Sequence, residues 1–235
     1  MNMLRQKNVL LCFSPPVMVV TIVIELGLAI WVGARYVGST SRRLILALLI
    51  CLAAFQLAEF NVCSPALPNV IWSRVGYVFI TFLPPLGLHL VTKLRREHRP
   101  ALLATAYSAA ISFAIAFAFI SNGLNRGVCA GNYVIFVLAQ PLATIYGFYY
   151  LGLVALGLVL TRGPRPHATA ATRSALLWMT LGYVAITVPT LIINWFLPMT
   201  RLGIPSIMCG FAIVLALILG LKVAPLAAAT SAHET

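Results

Sequence analysis

Aspartate is absent from this 235-residue sequence, and glutamate occurs only at positions 25, 59, 97 and 234. Charged residues of both signs amount to 9% of the chain, where a soluble domain carries roughly 25%. Too little charge remains to cover a water-exposed surface. HExxH and paired acidic metal motifs are missing, which removes the usual signatures of an intramembrane metalloenzyme. Ionisable groups inside apolar segments are too few for a coupled pump, and no inverted repeat is visible, so a transporter is disfavoured. Cysteine is confined to five positions, with no CxxC and no His/Cys cluster at zinc spacing; a disulfide scaffold and a structural zinc site are excluded. The N-terminal MNMLRQKNVLLCFSPP has a basic start and a short apolar stretch but no small-x-small cleavage site, and Leu11 before Cys12 spoils a lipoprotein signal. The segment is expected to be retained.

What is present is apolar surface: 61% of residues are hydrophobic. Runs of roughly 20 apolar residues, the length that crosses the hydrocarbon core of a bilayer, recur near 15–34, 44–63, 70–92, 101–121, 133–160, 174–196 and 204–221. The separators, such as GSTSRR at 38–43 and KLRREHRP at 93–100, have loop chemistry. The sixteen Lys and Arg give a formal net charge of +12. Nucleic-acid binding would need that charge gathered on one surface, whereas here the bases punctuate apolar runs, so no nucleic acid is expected as a partner and membrane lipids are.

Cytoplasmic loops accumulate Lys and Arg. One set of alternate loops holds Arg35, Arg42, Arg43, Lys93, Arg95, Arg96, Arg99, Arg162, Arg165, Arg173 and Lys222; the other holds only Arg5, Lys7, Arg74, Arg126 and Arg201. The expected fold is therefore an all-α integral membrane protein of about seven transmembrane helices, N-terminus outside and C-terminus cytoplasmic. One seven-helix domain covers 1–225, followed by a disordered tail at 226–235. Pro84 and Pro85, Pro141 and Pro189 fall inside proposed helices. Each removes a backbone donor and leaves a carbonyl for a neighbouring hydroxyl or water to satisfy.

Across the second and third spans, LLICLAAFQLAEF is followed by a short loop and WSRVGYVFITFLPPLGLHLV, with Trp72, Arg74, Gly76 and Tyr77 opening a helix that carries Pro84-Pro85 and His89. With the FAFISNG end of the next helix, this stretch resembles the seven-helix N-terminal sensor region of some bacterial histidine kinases. The resemblance is best over about residues 44–123. It implies a sensor-like module in the bacterial cytoplasmic membrane. The family's kinase transmitter has no counterpart here, so output is expected to pass through a separate membrane or cytoplasmic protein.

Intramembrane ionisable residues are the natural candidates for a site. Glu25 lies near the middle of the first span with no base at its depth, and is either neutralised by a proton or held by polar groups of another helix. As a binding residue it is the alternative to interhelical glue. Glu59 and Arg74 sit about one turn inside facing ends of antiparallel neighbours, which suggests an ion pair. Asn61, Trp72 and Tyr77 surround them in sequence and could complete a ligand pocket. His89 reads as a packing residue, and Met199, Met208 and Cys209 have the wrong spacing for a metal, so no metal, catalytic residue or cofactor is assigned. Tyr146, Phe148, Tyr149 and Tyr150 could line a cavity or dock a lipid or pigment. Gly147, Gly152 and Gly157 permit close helix contact. A disulfide between Cys63 and Cys129 is expected on the outer side, with Cys12 as the competing partner.

Two functions remain open. One is a sensor-like or ligand-binding seven-helix module acting through a partner. The other is a non-catalytic accessory subunit of a larger membrane complex, present for assembly or for lipid or cofactor enclosure.

Overall fold

A computed structural model describes residues 15–37, 40–62, 69–119, 128–130, 133–135, 138–162, 169–196 and 204–232. The helices run α1 (Pro15–Arg35), α2 (Thr40–Val62), α3 (Asn69–Thr81), α4 (Leu83–Leu94) and α5 (Pro100–Phe119), then α6 (Leu142–Thr161), α7 (Ala170–Phe196), α8 (Ile204–Ile218) and α9 (Ala224–Ala232). A π turn at Leu219–Val223 joins α8 to α9. Between α5 and α6 lies a small antiparallel hairpin, β1 (Val128–Ala130) and β2 (Tyr133–Ile135), with Cys129 opposite Val134. Among the described residues seven helical segments are long and apolar enough to cross a membrane; α3 with α4 forms one, and the α8–α9 run forms another.

Two expectations differ from this arrangement. The fifth apolar run, read as helical from 133, begins as strand and becomes helix only at Leu142. Pro141 sets that boundary, because a residue preceding proline is pushed away from helical backbone and proline itself is comfortable at a helix start. The tail expected from 226 is helical through Ala232. Its alanines are the best helix formers, and Arg96 Nη2 holds the Thr230 carbonyl at 3.2 Å.

Helix α2 lies at the centre, against α1, α3, α4 and α8. Its Ile45, Leu49 and Leu52 join Leu88 and Val91 of α4, Met179 of α7 and Leu219 in one buried core. Apolar side chains also face outward, among them Val23 and Ile30 of α1, Ile115 of α5, Phe148 of α6 and Trp195 of α7. Such a surface suits hydrocarbon rather than water.

Tyr183 of α7 crosses the core and inserts its hydroxyl between α4 and α6. Cβ atoms placed on Gly87 and Gly157 would lie 2.5 Å and 2.9 Å from that oxygen. The two glycines thus make the slot the phenol occupies, and its hydroxyl has no hydrogen-bond partner there.

At the end of the bundle where α4 meets α5, Arg95 Nε donates to Glu97 Oε1 at 2.8 Å, and Nη1 donates to the carbonyls of Leu160 and Arg162. Arg99 Nε takes the other carboxylate oxygen at 2.7 Å. One arginine therefore ties the end of α4 to the last carbonyls of α6, which lack partners within their own helix. The Arg95 hydrogen bond, aided by both guanidinium charges, holds the Glu97 carboxyl below the usual glutamate range. A lowered folded-state value means that the clamp contributes fully above the ordinary range of about pH 4.3 and is lost as pH falls beneath it. In acid melts of detergent-solubilised protein, the wild type should show a loss of stability below that range that Glu97→Gln lacks. Identical acid profiles would show that the clamp does not titrate.

Candidate functional site

A second, smaller core lies between α2, α3, α5 and α6, built from Phe55, Tyr77, Ile80, Phe117 and Tyr146. On α3, positions 73, 76, 77, 80 and 81 recur at helical spacing and are all buried, which turns one stripe inward. On α2 the matching stripe is 55, 58, 59 and 62. Gly76 allows the two helices to approach closely: a Cβ there would meet the Ala58 Cβ at 3.3 Å. With Ala58 opposite Gly76 in an antiparallel pair, Glu59 and Arg74 stand at about the same level, as the sequence suggests.

Glu59 is 1% exposed and lies near Gln56 of its own helix, while Ser73 of α3 is fully buried. None of the three lacks an interaction partner, as burial of polar groups in an apolar bundle requires. Arg74 reaches the last turn of α5, where Nη1 donates to the Ala118 carbonyl at 3.1 Å. A cation at a helix C-terminus is favoured by the unpaired carbonyls there. Arg74 Nε and Trp72 Nε1, both buried, have no hydrogen-bond acceptor. Asn61 is turned to its own helix and donates to the Leu57 carbonyl at 2.7 Å.

Tyr77 belongs to an aromatic group with ring centroids 4.7 Å from Phe117 and 5.6 Å from Tyr146. Phe113 adds contacts to Tyr146 and Tyr149. Of the tyrosine run noted in α6, Tyr146, Tyr149 and Tyr150 join this group, while Phe148 points away at 78% exposure. Thr81 belongs to the same site although no spacing or motif in the residues singles it out. Pro85 cannot donate to the carbonyl four residues earlier, which is that of Thr81, and the Tyr149 hydroxyl donates to it instead at 2.8 Å. The Thr81 side chain meets the Tyr146 hydroxyl at 3.1 Å. Helical structure breaks at Phe82 between α3 and α4, so the aromatic group is fastened to the break itself.

The other candidates lie elsewhere. Glu25 is fully buried on α1, a helix that packs against α2 and α8, and neither carboxylate oxygen has a hydrogen-bond partner. His89 Nδ1 meets the Tyr107 hydroxyl of α5 at 3.1 Å, a helix-packing contact. Cys51 is a buried free thiol. Cys129 is on β1, but Cys63 and Cys12 lie outside the described residues, and with them the expected disulfide and its competitor. Among the described residues no group of three or more His, Cys or Glu is arranged to hold a metal.

Comparison of the chain with family models, curated proteins and solved structures finds no match.

Proposed function

We propose that this chain is a multi-pass protein of the bacterial cytoplasmic membrane, N-terminus outside and C-terminus inside, that works as a sensor-like ligand-binding module through a separate partner protein. The basic loops support that orientation. The observation that carries the functional reading is the fastening of the Tyr77–Tyr146–Tyr149 group to the Thr81 carbonyl and hydroxyl at the helix break. A ligand entering beside these rings would compete for those bonds and shift the angle between α3 and α4. Helix α4 runs from the break to the Arg95–Glu97 clamp at the far end, so a change of angle is delivered to the cytoplasmic loops where a partner docks. A ligand's leverage equals its difference in affinity for the two arrangements. The site suits a small molecule with an apolar body for the aromatic group and acceptors for Trp72 Nε1 and Arg74 Nε.

Native mass spectrometry of the full chain, purified from its host membranes, tests this. The wild type should retain a small non-lipid molecule that Trp72→Phe and Arg74→Lys each release, with both variants still folded. Wild-type protein that carries only lipid would overturn the ligand-binding reading. Recovery of such lipid-only protein in a stable multisubunit assembly would support the accessory-subunit alternative instead.

A further inference from the structure

Beside the helix break, between α2, α4, α6, α7 and α8, lies a cavity of about 40 Å³, room for more than a single water. Pro84 and Gly87 of α4 form one side, and Tyr150 of α6, which also packs on the aromatic group, borders another. Met179 of α7 and Met208 of α8 line it as well. The described wall carries no charged side chain and two hydroxyls, those of Tyr150 and Tyr183. Tyr150 does not lack an interaction partner. Tyr183 is 5% exposed, and its hydroxyl has no hydrogen-bond partner among the described residues. That oxygen stands against the cavity wall at Gly87, where a Cβ would lie 2.5 Å from it.

Housing the oxygen is destabilising in two ways. A buried donor without an acceptor carries a desolvation penalty. Gly87 and Gly157, which leave the oxygen its slot, also lie inside α4 and α6, where glycine is less favourable than alanine. A phenylalanine would pack the same ring without the first of these penalties. An unpaired donor given its own slot at a cavity wall suits a ligand that brings the acceptor. With no counter-charge on the described wall, a charged ligand would be desolvated without compensation, so the acceptor belongs to an uncharged molecule. The flexible, polarisable thioethers of Met179 and Met208 let the wall adjust to an apolar body.

We propose that this cavity binds a small uncharged carbonyl compound, its oxygen accepting from the Tyr183 hydroxyl and its apolar body lying against Met179 and Met208. The site stands whether or not the Tyr77–Tyr146–Tyr149 group takes a ligand, since Tyr183 and both methionines belong to the other core.

The full chain, isotope-labelled at the methionine methyls and reconstituted in nanodiscs, is titrated by NMR with butanone and with its hydrocarbon isostere, in which a methylene group replaces the oxygen. Met179→Leu and Met208→Leu, close to volume-conserving changes, assign the two signals. Butanone should shift both methyls and leave in place that of Met18, which is buried on α1 and does not line the cavity. Tyr183→Phe should weaken butanone binding about tenfold, the loss expected for one hydrogen bond, while the hydrocarbon treats wild type and variant alike. An unchanged Met18 signal in Tyr183→Phe shows that the bundle is intact. Butanone that shifts neither methyl, or that shifts Met18 as much as the other two, would overturn the site. Equal butanone affinity in the two proteins, or an equal loss of both probes in Tyr183→Phe, would overturn it as well.

Discussion

Gly87→Ala should lower the unfolding free energy of the solubilised protein by about 1–3 kcal/mol, and adding Tyr183→Phe should restore most of the loss. The new Cβ would stand 2.5 Å from the Tyr183 hydroxyl, well inside contact distance, but 3.5 Å from Cζ, an ordinary contact. The phenol has little room to retreat, because Gly157 lines the slot on the other side, close enough that a Cβ there would lie 2.9 Å from the same oxygen. Removing one oxygen therefore removes the clash. Tyr183→Phe alone should be neutral or stabilising, since its hydroxyl is buried without a partner and a buried unsatisfied polar group carries a desolvation penalty. At Gly157 the same rescue should be partial, because Cζ is already 3.1 Å away. Thermal melts of the four chains decide the matter. Additive effects of Gly87→Ala and Tyr183→Phe would show that the two residues do not meet.

Tyr149→Phe should cost about 1–3 kcal/mol when Pro85 is present and much less when it is replaced by Ala. The Thr81 carbonyl loses its helical donor to Pro85 and is bonded by the Tyr149 hydroxyl. Without that hydroxyl the carbonyl loses the donor that replaces its missing helical partner within the bundle. Pro85→Ala restores an N–H four residues along the helix and gives the carbonyl a local partner. The coupling in a double-mutant cycle should therefore be of the size of one buried hydrogen bond. A cycle that closes to zero would mean that Tyr149 does not serve the helix break, and the route from the aromatic group to α4 would lose its first link.

Both predictions depend on contacts that sequence reading reaches only halfway. Hydropathy places seven apolar spans because length and composition alone set them, and the Pro84-Pro85 pair announces a carbonyl in need of a donor. Which residue supplies the donor is a tertiary matter: Tyr149 lies 68 positions from Thr81, and no local spacing links them. The start of α6 escapes hydropathy because Tyr133, Val134 and Ile135 are as apolar as a helix segment yet suited to a strand. Glu59 and Arg74 come to one level, as antiparallel geometry requires, but the bond to Ala118 depends on where α5 ends. The bases at 93–99 read in the sequence as a sign of orientation only. That Arg95 and Arg99 close on Glu97 while Arg96, at a left-handed φ of 54°, reaches the Thr230 carbonyl of α9 leaves no pattern in the residues.

Membrane topology is the premise on which the reading of both ends rests, and impermeant thiol labelling of intact cells tests it directly. In a chain whose five native cysteines are replaced, single cysteines are placed at Val37, 79% exposed beyond the end of α1, and at Gln140, exposed ahead of α6. An outward N-terminus requires that reagent added outside labels Gln140→Cys at once and reaches Val37→Cys only after the membrane is permeabilised. Labelling of Val37→Cys in intact cells with Gln140→Cys protected, or equal labelling of both, would contradict it.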